Sequence, residues 1–237
     1  MPTSTTSAPS AYEKTPSSVA RPSVEELIER AKAMAPVLRE RSSQIDSARQ
    51  VSAETVADFV KAGFPLIAKP IRFGGYGYGQ DVIVKVSMAL SRACGASGWV
   101  GCFFANHNML IGMFPEQAQQ EVWGNGRDSL ISTISTGGVV TFEDVEGGIR
   151  VSGEVKFSSG VDHANWLIMI HPKGLLLFSK QDFNIKDDWF VMGMKGTGSK
   201  SVILDNAFVP NHRMVAPEAL GSCQNYGSAH NEAIHYG

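Results

Sequence analysis

The stretch VVTFEDVEGGIRVSGEVKF, residues 139–157, decides the fold class, because apolar and polar residues alternate along its second half. A period of two is typical of a strand with one buried face, and the EGG in the middle supplies a hairpin turn. Further strand-like segments lie on both sides: SLISTIS (129–135), NWLIMIHPKGLLLFS (165–179) and KSVILDNAFVP (200–210). Short strands joined by tight turns predict an antiparallel β-sandwich or small barrel, here a central β-domain over residues 128–216.

Upstream of residue 128 the apolar period becomes helical, which predicts an N-terminal helical domain over residues 23–127 and an α+β fold. Ser23 with Glu26 has the spacing of a capping box, and Gly63 suits a helix C-terminus. The glycines of FGGYGYGQ (73–80) predict an interhelical loop with positive φ rather than a phosphate-binding loop. The helical segments are SVEELIERAKAMAPVLRERSSQID, SAETVADFVKAGF, DVIVKVSMALSRACG, ASGWVGCFFANHNML and PEQAQQEVWG.

The two ends of the chain differ from this pattern. Residues 1–22 are rich in Ser, Thr and Pro with little to bury, so they predict a disordered tail. From residue 217 to 237 the periodicity weakens, which predicts the start of a C-terminal region that is truncated here.

Composition excludes several classes of function. The chain has 237 residues, a net charge of −2 and a pI near 6.3, which gives no electrostatic reason to expect nucleic acid or an anionic membrane as partner. No apolar run approaches the roughly 18 residues that span a bilayer. Three cysteines without CxxC spacing, and no HExxH or GxSxG, predict a reducing compartment, no metal site and no hydrolase triad. The sequence therefore predicts a soluble, cytoplasmic protein.

One histidine stands out in the most apolar helical segment, residues 96–110. Trp99, Phe103, His107 and Leu110 share one helical face, and only His107 on it is polar. It is either a catalytic group or a histidine satisfied in the core. Three hydroxyl-rich segments in the β-region add to a candidate site, although each alone also reads as a polar turn: ISTISTGG (131–138), FSSG (157–160) and MKGTGSKS (194–201).

Taken together, these segments resemble a known family. The order of helices and strands is similar to the acyl-CoA dehydrogenase fold. F-S-S-G followed by D-H-x-x-W, with G-T-G-S further on, resembles the oxygenase components of two-component flavin-dependent monooxygenases that hydroxylate aromatic compounds. The resemblance covers roughly residues 23–218, and it implies that the family's C-terminal helical bundle is missing here.

The resemblance implies roles for individual residues. His107 would meet the phenolic substrate beside the flavin and accept its proton, and Ser158 would hydrogen-bond the flavin where its hydroperoxide forms. The register of the first strand leaves Thr133 and Ser135 as alternatives for a second pocket hydroxyl. The implied cofactor-binding residues are Trp99, Thr133, Ser135, Phe157, Ser158 and Ser159.

The implied cofactor is reduced FMN, with FAD as the alternative, delivered by a separate flavin reductase. Its co-substrates are O2 and a small aromatic compound, and the implied full-length assembly is a homotetramer. Two other readings stay open: an acyl-CoA dehydrogenase-type flavoprotein and a non-catalytic truncated homologue.

Overall fold

The computed structural model describes residues 21–124, 129–135, 138–222 and 224–231. The predicted disordered tail therefore lies almost wholly outside the described residues, as does the predicted boundary between helical and β-regions. Within the described ranges the α-helices are α1 (Val24–Ala33), α2 (Ala35–Ala48), α3 (Ala53–Ala62), α4 (Gln80–Ser91), α5 (Gly95–Ile111), α6 (Glu116–Trp123), α7 (Pro217–Gly221) and α8 (Tyr226–His230). The strands are β1 (Ile131–Ser135), β2 (Val139–Val145), β3 (Gly148–Ser158), β4 (Trp166–His171), β5 (Gly174–Ser179), β6 (Asn184–Lys186), β7 (Lys200–Pro210) and β8 (Met214–Val215).

The predicted helix starts and stops are largely confirmed. Ser23 and Glu26 form the reciprocal capping box, and Gly63 ends α3 in the left-handed conformation with φ 80°. The first predicted helix was wrong in length, because the structure divides it at Met34 into α1 and α2. Pro36 explains the break, since its ring removes an N–H donor and clashes with the carbonyl four residues earlier.

The strands form two four-stranded sheets. The inner sheet has the order β1-β4-β5-β8 and the outer sheet the order β2-β3-β7-β6. The predicted sandwich is confirmed, but one pair departs from an antiparallel arrangement: β1 runs parallel to β4, with Ile131 opposite Trp166. Parallel neighbours need a crossover connection, and the β2–β3 hairpin of the outer sheet provides it. The short strands β6 and β8 had no recognisable sequence pattern.

The inner sheet is buried on both faces. Leu176 and Phe178 pack against the outer sheet, in the core of the sandwich. Leu175 and Leu177 point the other way, into a core shared with the C-terminal end of α5 and with α6. This explains why the segment LLLF reads as a continuous apolar run rather than an alternating one. The molecule is thus layered as helices, inner sheet and outer sheet, and α5 lies where the helices meet the inner sheet.

Candidate functional site

His107 joins α5 to the first strand of the inner sheet. Its side chain is only 3% exposed. Nδ1 lies 2.7 Å from the carbonyl oxygen of Ile131, and Nε2 lies 3.1 Å from Oγ1 of Thr133. A carbonyl can only accept, so Nδ1 carries the proton and Nε2 of the neutral ring accepts the Thr133 hydroxyl. The strand therefore fixes the tautomer of His107 and leaves its basic nitrogen facing Thr133.

Burial lowers the pKa of His107 from 6.5 to about 4, although the hydrogen bond to Ile131 opposes the shift. The imidazole is consequently neutral at physiological pH. A proton on Nε2 would point at the Thr133 oxygen, so the Thr133 hydroxyl would first have to rotate its own proton away.

The pKa of His107 makes stability depend on pH. Between pH 6.5 and pH 4 the unfolded chain protonates this histidine and the folded chain does not, so acid lowers the free energy of unfolding. The expected loss is about 3 kcal/mol at pH 4 relative to pH 7. Urea unfolding at both pH values, of the wild type and of His107→Gln, isolates this contribution, because glutamine does not titrate. Equal pH dependence in the two proteins would contradict the shift.

The His107 face of α5 becomes more exposed toward the N-terminal end of the helix. The Phe103 ring stacks on His107 with centroids 4.8 Å apart, and Trp99 follows with its ring 4.7 Å from Phe103. Trp99 is 46% exposed. The opposite side of α5 faces the core instead, through residues such as Val100 and Phe104. An aromatic strip thus runs over the surface of α5 and ends at the buried imidazole.

Ser158, predicted to contact the flavin, faces the interior with 0% exposure. Its Oγ lies 3.0 Å from the carbonyl of Thr133 and 2.6 Å from Oγ of Ser132, which in turn donates to the carbonyl of Ser159. The Ser132 and Ser158 hydroxyls have two protons for these three contacts. Both protons are therefore used in hydrogen bonds within the protein, and neither is left for a ligand. Ser158 helps to hold β1, and its predicted contact with flavin stays a prediction.

Ser159 lies on the more accessible side, with 9% exposure. Its Oγ accepts the indole N–H of Trp99 at 3.1 Å and lies 2.8 Å from Oγ of Ser199, which lies 2.7 Å from Oγ1 of Thr197. Thr197 donates to the carbonyl of Met194 at 2.9 Å. These contacts bring F-S-S-G and G-T-G-S together beside α5. Ser199 and Thr197 lie in the hydroxyl-rich segment 194–201, but no role was predicted for either residue from the sequence.

The turn after Ser159 is fixed at three points. Gly160 adopts φ 71° and donates its N–H to the carbonyl of Thr197 at 2.8 Å, and a Cβ there would press on Val100 at 3.0 Å. Asp162 accepts from Nζ of Lys200 at 2.8 Å. His163 donates from Nε2 to the carbonyl of Val51 at 2.7 Å. The D-H pair of the sequence motif therefore anchors the turn and the hydroxyls that precede it.

Two other predicted residues border the same face. Phe157 is 57% exposed, and its ring lies 5.3 Å from that of Trp189, a residue that no sequence motif indicates. Ser135 is exposed at the end of β1, two residues from Thr133 and on the same side of the strand. Arg49 holds the segment of Trp189 through paired 2.7 Å hydrogen bonds to the Asp187 carboxylate.

Among the described residues, Trp99 and Phe157 leave the candidate site partly exposed. Three cavities of about 290, 650 and 300 Å³ lie elsewhere, and neither His107 nor Ser159 lines any of them. Within the described part of the chain, no group of three or more His, Cys, Asp or Glu side chains could hold a metal ion. No helix among the described residues has the length and apolar character needed to cross a membrane.

Comparison with known proteins identifies this arrangement. The flavin-dependent monooxygenase oxygenase subunit HsaA of Rhodococcus jostii is 32% identical over 218 residues, covering 88% of this chain and 57% of the relative. The oxygenase component of the FADH2-dependent resorcinol hydroxylase of Rhizobium is 36% identical over 204 residues, covering 81% and 50%. The chain is a homologue of the oxygenase components of flavin-dependent monooxygenases.

The fold of this oxygenase-component homologue agrees with the identification. The crystal structure of 3-HSA hydroxylase from Rhodococcus superposes with a TM-score of 0.85 at 31% identity, over 90% of this chain and 57% of that chain. The predicted acyl-CoA dehydrogenase-like fold is thereby confirmed. No protein-family model matches the chain. The oxygenase-component homologue spans about half the length of the curated relatives it matches.

Proposed function

We propose that the chain acts as the oxygenase component of a two-component monooxygenase, hydroxylating a phenolic substrate with O2 and reduced flavin from a separate reductase. Relatives named as resorcinol and p-hydroxyphenylacetate hydroxylase components support the substrate class. Reduced FMN is the proposed flavin and FADH2 the alternative. The predicted homotetramer, the domain boundaries and the cytoplasmic location stay predictions.

The observation that carries this proposal is the neutral His107 with its basic nitrogen aimed at Thr133, beside an exposed aromatic and hydroxyl face. Thr133 is half-buried, so its oxygen can accept a hydrogen bond from a phenol while its own proton points to Nε2. The pair Thr133–His107 forms a two-atom path along which a phenol proton can leave. Carboxylates are absent from this path, and none is needed.

The pKa values decide when the proton moves. A phenol has a pKa near 10, far above the lowered pKa of His107, so full proton transfer before the reaction is strongly unfavourable. The His107–Thr133 pair therefore polarises the phenol O–H at first. Transfer becomes favourable as the ring is attacked, because the phenolic proton then becomes strongly acidic. Such assistance typically contributes about 10²–10⁴ in rate.

The exposed face also fits a flavin. Bound reduced flavin would supply activation of O2, which no side chain here can provide. Trp99 and Phe157 offer aromatic surfaces at the two sides of the face, and Ser159 offers a hydroxyl oxygen between the elements that carry them. The same rings would keep water from the reacting atoms once substrate and flavin lie over them.

The function is tested with the purified chain under anaerobic conditions. Reduced FMN or reduced FAD is titrated by tryptophan fluorescence, and the mixture is then exposed to ¹⁸O₂ with resorcinol or p-hydroxyphenylacetate. We expect saturable binding of reduced flavin and a product that carries ¹⁸O on its ring. Bleaching of oxidised flavin by an acyl-CoA thioester, without any hydroxylated product, would instead support a dehydrogenase and refute the proposal.

A further inference from the structure

The hydroxyls that end at Met194 form a chain with a single possible direction. Thr197 can only donate to the carbonyl of Met194, because a carbonyl has no proton to give. Its oxygen must then accept from Ser199, and Ser199 must accept from Ser159. Three contacts use three protons, one from each hydroxyl. No other assignment satisfies all three contacts.

This direction determines what Ser159 can offer to a ligand. Its proton points inward to Ser199, and one lone pair accepts the indole N–H of Trp99. The lone pair that remains makes the accessible side of Ser159 an acceptor and not a donor. The two redox states of a flavin interact differently with such an acceptor. N5 of the flavin carries a proton in the reduced form and a lone pair in the oxidised form.

We propose that Ser199 and Thr197 are positioning residues that make the site select reduced over oxidised flavin, by holding Ser159 as a hydrogen-bond acceptor. The inference rests on the proposed function, since it presumes that flavin lies against Ser159. A reduced flavin would donate its N5–H to Ser159, whereas an oxidised flavin would place a lone pair against a lone pair. An oxygenase supplied by a separate reductase needs this preference, because it must take reduced flavin and release oxidised flavin.

The expected size of the effect follows from one hydrogen bond. A made versus an unmade buried hydrogen bond changes affinity by about tenfold. Removing the Ser199 hydroxyl in Ser199→Ala takes away the inward acceptor of Ser159, which can then rotate and donate outward. We expect Ser199→Ala to bind oxidised flavin more tightly and reduced flavin more weakly, so the ratio of the two Kd values changes by about tenfold or more.

The experiment measures both Kd values for FMN by tryptophan fluorescence, aerobically for the oxidised form and with dithionite for the reduced form. Thr197→Val should also lower the ratio of the Kd for oxidised FMN to the Kd for reduced FMN, because Ser199 loses the acceptor that orients it. Ser199→Thr keeps the hydroxyl and should keep the ratio. Thr141→Val is the matched control, since it removes a hydroxyl hydrogen bond in the outer sheet that is not part of the Ser159–Ser199–Thr197 hydroxyl series. Melting temperature is recorded for every variant.

The outcomes separate cleanly. A ratio that is unchanged in both Ser199→Ala and Thr197→Val would overturn the inference while leaving the proposed function intact. An equal weakening of both flavins would also overturn it, because it would show a purely structural role. If the folded wild type bound neither flavin, the proposed function itself would fail and the inference with it. A changed ratio with an unchanged Thr141→Val control supports the proposal.

Discussion

Replacing His107 with glutamine is expected to slow hydroxylation by about 10²–10⁴ and to leave binding of reduced flavin nearly unchanged. The glutamine amide can still donate to the carbonyl of Ile131, so the edge of β1 stays satisfied. It has no basic nitrogen to accept the phenol proton through Thr133. Single-turnover assays that measure product and released hydrogen peroxide separately should show peroxide in place of product.

Thr133→Val provides the companion test, because it keeps the shape of the side chain and removes the hydroxyl between substrate and imidazole. If Thr133 and His107 act as one path, the double variant should be no slower than His107→Gln alone. Independent, multiplicative losses would refute the path. Losses that merely follow the melting temperature would show instead that His107 serves the fold and not the reaction.

The second large effect concerns the ion pair below the Ser159 turn. Lys200→Met is expected to lower the free energy of unfolding by about 3 kcal/mol, because it leaves the largely buried Asp162 carboxylate, 17% exposed, without its counter-ion. Lys200 is nearly buried. Its Nζ lies 2.8 Å from Oδ1 of Asp162 and 3.2 Å from the side-chain oxygen of Gln50. The other carboxylate oxygen, Oδ2, already lacks a hydrogen-bond partner in the structure.

A double variant controls this prediction. Lys200→Met combined with Asp162→Asn removes both charges, so it should recover part of the stability that the single variant loses. Urea unfolding at pH 7 measures both variants against the wild type. A single variant within 1 kcal/mol of the wild type, or a double variant less stable than the single, would show that the pair contributes little.

Much of the fold was predictable because its signals are local. The capping box of Ser23, the stop at Gly63 and the alternation along β3 each depend on a few neighbouring side chains. The parallel pairing of β1 with β4 was not predictable in this way. It depends on which sheet each strand joins, and the inner strands, buried on both faces, carry no alternation that would show it.

The sequence indicated candidate site residues but not their orientation, and the roles of those residues stay predictions. The sequence indicated His107, Thr133 and the two serines 158 and 159, and the structure places all four where α5 meets the β-region. It could not show which serine faces inward, since a one-residue shift in register reverses the faces of a strand. It also could not show the lowered pKa of His107, which arises from neighbours distant in sequence.

The two buried faces of the inner sheet couple the layers of the molecule mechanically. Leu175 and Leu177 support the helices, and Leu176 and Phe178 support the outer sheet, all from one strand. Neither the helices nor the outer sheet can separate from the inner sheet without exposing one buried face of β5. The helices and the sandwich should therefore unfold together as one cooperative unit.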